Sequence, residues 1–429
     1  MRRRERIGLS RVLTYGVISI GALSGFLRVA GAQELQKTVG AGPVFSETGP
    51  DAVAYGAPKF PLGSRATSEE VEHLVATYSL FDDLFMSGIV IRAEEPWLFR
   101  RAQVEPKITY EFQSDHYTLE DYLRRNPTTG LLIAKDDTIL FEHYQYARTD
   151  RHRFLSQSMA KTITSILIGV AVAEGSIKSI DDTAAIYVPQ LAGTEYGKTA
   201  LRDLLHMASG IAFSENYDGK DDLSRLVADL ASRKRAVDSV MQFNTRDVPP
   251  GTRFHYASVE TLVLGLVLRS AVGKPITDYL REKIWQPIGA EANASWALDG
   301  GGQEIAYCCF NAVLRDYARL GRLLAYDGMW DGRQLIPRQW ILDATTVRPG
   351  DNYLAPGVAT AYDGYGYQVW IQSGAERIFV LKGLRGQMVL VAPASKLVMV
   401  HTAVRQKPND PANAETRALW DAVVRELGK

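Results

Sequence analysis

From Gly130 the run LLIAKDDTILFEHYQY is rich in β-forming residues and alternates on both sides of Asp136-Asp137. That pattern predicts a two-stranded hairpin whose second strand ends near Ala147. Met159 to Ala173 follows as an almost unbroken apolar stretch with Gly175 just beyond it, which predicts a helix buried all round. Between about 183 and 350 the spacing changes to three and four. LRDLLHMASG, TLVLGLVLRSAVG, ITDYLREKIWQPIG and AVLRDYARLGRLLAYDG read as helices, most of them closed by glycine. A period of two then returns in YGYQVWIQ, RIFVLKG, QMVLVAP and LVMVHTAV, a meander of four strands, and an amphipathic helix over about Ala412 to Leu427 closes the chain.

Strands therefore flank both ends of a helical block. The economical assembly is an α+β fold: one antiparallel sheet built from early and late strands, flanked by helices, with an inserted all-helical lobe. Residues 126–182 plus 350–429 would form the sheet lobe and 183–349 the helical lobe. Residues 33–125 would be an N-terminal extension, whose part up to about 60 is rich in Gly, Pro, Ala and Ser and reads as a loose lead-in. A cleft is expected between the lobes, where small-molecule sites prefer to form.

Composition supports a large packed core. Of 429 residues, 46% are apolar, 10% aromatic and 23% charged, which excludes both a small disulfide scaffold and a disordered chain. Basic and acidic residues balance at 49 each, so nucleic acid and anionic membranes are not expected partners. The balance conceals an asymmetry. The first 32 residues hold six arginines and one acid, and without them 43 basic residues face 48 acidic ones. The basic head, the apolar run Val12 to Leu27 and Ala30-Gly31-Ala32 read as a signal peptide over 1–32. The product is expected to be periplasmic or secreted, and membrane-anchored only if the signal stays uncleaved.

Cys308 and Cys309 are adjacent, and neighbouring cysteines bridge only outside ordinary disulfide geometry, so they are expected to be two small buried hydrophobes. No histidine spacing suits a metal and no glycine-rich motif suits a nucleotide phosphate, so no metal or cofactor is expected.

Three stretches carry chemistry. Ser158 and Lys161 stand three apart, and a helix beginning beside Ser158 puts them on one face about a turn apart. The apolar residues after Lys161 predict its burial, which lowers a lysine pKa and makes a neutral base. Tyr256, in Phe254-His255-Tyr256-Ala257-Ser258, stands at the mouth of a helix, where it could relay a proton and have its phenolate stabilised by a neighbouring ammonium. Lys382-Gly383-Leu384-Arg385-Gly386-Gln387 occupies a strand turn that offers a cation and exposed backbone N–H groups to a carboxylate and an oxyanion. The bland alternatives are a capping serine, a core tyrosine and a tight hairpin.

The ordered set Ser158-Met159-Ala160-Lys161, Tyr256-Ala257-Ser258 and Lys382-Gly383-Leu384, separated by 98 and 126 residues, resembles the S-x-x-K, Y-x-N and K-T-G motifs of the serine β-lactamase and penicillin-binding-protein superfamily. The connecting segments are similar to those of its class C-like esterase and peptidase branch, and within it to 6-aminohexanoate-dimer hydrolases. The resemblance implies Ser158 as acyl-forming nucleophile, Lys161 as its base and Tyr256 as partner in proton transfer. It implies an oxyanion hole from the Ser158 N–H and one N–H of the 382–387 turn. Substrate contacts would come from Tyr217, Ser258, Lys382, Gly383 and Leu384. Ser258 stands in place of the motif's Asn and Leu384 in place of its last Gly, departures that argue against efficient β-lactam recognition. The expected partner is a small-molecule amide or ester. The alternatives are a penicillin-recognising D-alanyl-D-alanine peptidase or β-lactamase, and a non-catalytic sensor on the same fold.

Overall fold

The computed structural model describes residues 40–409 and 413–429, so the expected signal peptide lies outside the described residues. β1 (Thr128–Lys135) and β2 (Thr138–Tyr144) form the expected hairpin, Lys135 opposite Thr138. The late strands are β3 (Asp363–Tyr365), β4 (Trp370–Gln372), β5 (Phe379–Gly383), β6 (Gln387–Ala392) and β7 (Leu397–Ala403). The run YGYQVWIQ, expected as one strand, is split between β3 and β4. Gln368 takes a left-handed backbone there, φ 60°, and its buried amide accepts from Thr261 at 2.6 Å and donates to the Leu204 carbonyl at 2.8 Å. Those side-chain bonds replace ladder bonds and bend the chain.

The sheet runs β2-β1-β7-β6-β5-β4-β3 with every neighbour antiparallel. Val44–Phe45 and Arg100–Arg101 add parallel pairings along β2, which makes nine strands among the described residues. Because successive side chains point to opposite faces, the central strands serve two cores at once. Leu131 and Ile133 of β1 join the cluster under α5 (Ala414–Leu427), with Leu419, Trp420 and Val423. Leu132 and Ala134 join the larger cluster on the other face, with α1 (Ala160–Ala173), α3 (Ser258–Val272) and α4 (Leu314–Ala325). Between α1 and α3 in the chain lies α2 (Asp222–Ala231). As expected, α1 is buried nearly all round.

Four expectations need correction. The stretch 183–349, expected to be all helix, also supplies Ala294–Ala297 and Phe310–Ala312. These pair with Ser87–Val90 and Phe154–Leu155 in a four-stranded antiparallel sheet, its strands too short to reveal a period of two. From the same stretch, α4 packs on β6 and β7. The lead-in before residue 60 is packed where it is described: Tyr55 and Phe60 are buried and set their rings edge-on to Tyr146, 5.6 and 5.8 Å between centroids. Cys308 and Cys309 are joined by a disulfide. The left-handed backbone at Cys309, φ 67°, lets adjacent side chains meet, an option that averaged disulfide geometry hides.

Candidate active site

Ser158 stands where the short strand Phe154–Leu155 turns into α1. Ser156 is fixed to the small sheet, its N–H donating to the Phe310 carbonyl at 2.7 Å and its Oγ accepting from the Phe310 N–H at 3.1 Å. Gln157 then takes a left-handed backbone, φ 45°, which a non-glycine residue holds only when its surroundings impose it. Its side-chain amide donates to the Tyr78 hydroxyl at 2.7 Å, so the N-terminal segment braces the turn that presents Ser158. From the other side the 382–387 turn presses against the same backbone. A Cβ at Gly383 would collide with the Ser156 carbonyl and lie 2.8 Å from the Gln157 Cβ. Only a residue without that atom lets the sheet edge approach so closely.

One turn into the helix, Lys161 is 1% exposed, and its Nζ donates to Ser158 Oγ at 2.8 Å, Ser258 Oγ at 3.0 Å and the Tyr307 carbonyl at 3.1 Å. All three partners are neutral. Burial therefore lowers the Lys161 pKa to about 8, against an upward pull from the Glu215 carboxylate. At that value a useful fraction of the amine is unprotonated near neutral pH.

Tyr256 precedes α3. Its ring stacks on Trp370, 5.4 Å between centroids, and meets Tyr365 edge-on. The Lys161 amine lies 4.9 Å above the same ring. Burial and the Glu215 carboxylate hold the phenol well above its ordinary value, opposed by a hydrogen bond with Ser158. Tyr256 therefore rests as a phenol. His255 beside it bonds the Phe213 carbonyl through Nε2 at 2.6 Å.

Glu215 is the residue that sequence reasoning missed. Its carboxylate accepts from the Ser258 N–H at 2.7 Å, the Ser258 hydroxyl at 2.9 Å and the Tyr217 hydroxyl at 2.8 Å. Ser258 thereby links Lys161 to a carboxylate, which an Asn could not do through a hydroxyl. The loop is pinned from behind, where the N–H groups of Asn216 and Tyr217 donate to Asp221, the cap of α2. Ser158, Glu215, Tyr217, Tyr256, Lys382, Gly383 and Leu384 all line one recess of about 210 Å³. Lys382 does not stand there as an open cation. Its ammonium pairs with buried Asp363, which also pairs with Arg417 at 2.7 Å, and it lies 5.3 Å over the Trp370 ring.

The sequence profile of the beta-lactamase family matches residues 118–424. The 6-aminohexanoate-dimer hydrolase of Paenarthrobacter ureafaciens is 26% identical over 292 residues, 66% of this chain and 74% of that protein. A protein of Escherichia coli K12, provisionally named a D-alanyl-D-alanine carboxypeptidase, is 27% identical over 214 residues, and the match spans 48% of its length. Among solved structures, one from Bacillus anthracis, provisionally assigned as a 6-aminohexanoate-dimer hydrolase, superposes with a TM-score of 0.75 at 24% identity, covering 84% of this chain and 96% of that one. A family VIII carboxylesterase superposes with a TM-score of 0.54 at 18% identity, covering 70% and 93%.

Proposed function

The chain belongs to the beta-lactamase family and is a hydrolase of that family, and from that premise we propose that it is a serine hydrolase cleaving linear amides or esters through an acyl-enzyme on Ser158. Neutral Lys161 takes the Ser158 hydroxyl proton as Oγ bonds to the substrate carbonyl carbon. The oxyanion is held by the Ser158 N–H and an N–H of the 382–387 turn. As the bond to nitrogen or oxygen breaks, Tyr256 gives its proton to the leaving group and recovers one from the Lys161 ammonium, so that both groups return to their resting forms. Water then attacks the acyl carbon, releasing a carboxylic acid and restoring Ser158. The Lys161 to Ser258 to Glu215 hydrogen-bond chain holds the amine in place beside Ser158 Oγ. Tyr217, tethered to Glu215, contacts the substrate amide, and Ser258, Lys382, Gly383 and Leu384 complete the binding surface.

The observation that carries this reading is the 2.8 Å contact between a buried amine and the Ser158 hydroxyl, with no carboxylate directly on the amine among the described residues. The Cys308–Cys309 bridge and the basic, then apolar, first 32 residues support export to an oxidising compartment. The test is a panel of 4-nitrophenyl esters and short ω-amino-acid amides, assayed on wild type and Ser158→Ala, with intact mass to detect the acylated chain. Turnover and mass adduct are both expected to vanish in the variant; turnover that persists in Ser158→Ala overturns the assignment. Stoichiometric, slowly released attachment of a labelled penicillin to Ser158 would favour a penicillin-recognising peptidase instead.

A further inference from the structure

The Cys308–Cys309 disulfide stands between two fixed points of the site. On one side of it the Tyr307 carbonyl accepts from Lys161 Nζ at 3.1 Å, and the Tyr307 ring lies 5.4 Å from the same amine. On the other side Phe310 holds Ser156, two residues before Ser158, through both its N–H and its carbonyl. Four consecutive residues therefore carry the base at one end and the turn that presents Ser158 at the other. Between those ends the Cys309 backbone is left-handed, φ 67°. A residue with a Cβ takes that conformation only under constraint, and a ring closed through both side chains supplies one. The bridge does little for the fold as a whole, because stabilisation by a cross-link grows with the length of chain it encloses, and this one joins neighbours. Its effect is local.

A small thiol can reach it. Both cysteines line a pocket of about 400 Å³ that Ser158 also lines, and Met86 and Val227 in the same lining are 45% and 49% exposed, so the pocket opens to solvent. The sequence holds no other cysteine, which leaves neither sulfur a second partner within the chain. We propose that this disulfide arms the hydrolase: closed, it holds Lys161 and the Ser158 turn in register, and opened, it lets the 307–310 segment relax and the amine drift from the hydroxyl. This rests on the acyl-enzyme reading above and adds a redox control to it. A small dithiol opens the bridge in two exchanges. One of its thiolates attacks a cysteine sulfur, breaking the S–S bond and forming a mixed disulfide, and its second thiol then displaces the cysteine still attached. Two electrons and two protons pass to Cys308 and Cys309, and the dithiol leaves as its own cyclic disulfide. The chain is thereby idle in a reducing compartment and becomes active on reaching an oxidising one.

The experiment measures single-turnover acylation by 4-nitrophenyl esters with the enzyme in saturating excess, a rate constant that does not depend on how much of a sample is folded. Wild type is compared before and after dithiothreitol, with iodoacetamide and intact mass to count the opened thiols. Reduction is expected to slow acylation about tenfold, and reoxidation to restore it. Cys308→Ala/Cys309→Ala should be as slow as reduced wild type and indifferent to dithiothreitol. Cys308→Ala/Cys309→Gly, in which glycine takes the left-handed backbone without a bridge, should acylate faster than Cys308→Ala/Cys309→Ala. Reduced wild type, or Cys308→Ala/Cys309→Ala, reacting as fast as the oxidised enzyme overturns the proposal, and so does a bridge that dithiothreitol leaves closed in the folded protein. A Cys308→Ala/Cys309→Gly variant no faster than Cys308→Ala/Cys309→Ala overturns the route through the Cys309 backbone. Acylation of the oxidised enzyme that is independent of Ser158, or absent on every ester and amide of the panel above, sinks the acyl-enzyme reading itself.

Discussion

Two lysines stand close to Ser158, Lys161 behind its hydroxyl and Lys382 on the wall of the recess that Ser158 lines, and their surroundings differ. Lys161, inside the helical core, meets two hydroxyls and a carbonyl; Lys382, on the sheet edge, meets the carboxylate of Asp363. An ammonium without a counter-ion in a dry site is destabilised and releases its proton readily, whereas one against a buried carboxylate keeps it. In the proposed mechanism the same side chain is thereby a base in one place, while in the other it is the partner of a buried carboxylate, and neighbours make the difference.

The sharpest way to break this contrast is Lys161→Ala. It should lower kcat/KM on activated esters by about three orders of magnitude, with the melting temperature kept because the lost partners were two hydroxyls and a carbonyl. Activity within tenfold of wild type would mean that Lys161 is not the base. Next in size, Asp363→Asn removes the carboxylate that Lys382 and Arg417 share and should cost about 3 kcal/mol in urea unfolding. A variant as stable as wild type would show that this shared carboxylate does not hold the sheet edge together.

The rule that burial discharges a base can also be tested away from the site. His206 and His401 are buried and held down to about 3. The unfolded chain binds protons at these positions below about pH 6.5 and the folded chain does not, so folding stability is complete above 6.5 and falls as pH drops toward 3. Each should contribute about 1.4 kcal/mol per pH unit in that window, read by unfolding at stepped pH with His401→Gln as comparison. The smallest effect concerns Glu215. The rising limb of kcat/KM against pH should be centred near 8, where Lys161 loses its proton. Since the Glu215 carboxylate favours the charged amine, Glu215→Gln should move that limb to lower pH. A limb that stays or moves upward contradicts the electrostatic link.

Much of this was legible in the chain because it is written in local repetition. The β1–β2 hairpin, α1 and the late strands each declare a period, and Ser158 with Lys161 declares a helical turn. Glu215 does not, because it sits in an aperiodic loop and gains its meaning from Ser258, 43 positions away. The small sheet is assembled from strands of two to four residues drawn from four regions, too short for alternation to register. Packing of the early segment depends on Tyr55 and Phe60 finding Tyr146, a long-range match with no local signature. The Lys382–Asp363 pair is of the same kind: each residue is unremarkable in its own stretch, and only the sheet register brings them together.

The brace from Tyr78 to Gln157 has a practical consequence. The portion of the chain shared with the family begins at residue 118, and a protein engineer would be tempted to trim everything before it. Such a truncation would discard the hydroxyl that steadies the turn presenting Ser158 and, with Phe85 and Met86, part of the lining of an apolar pocket that Ser158 also lines. The portion matched by the family profile is therefore not the whole of what shapes the site.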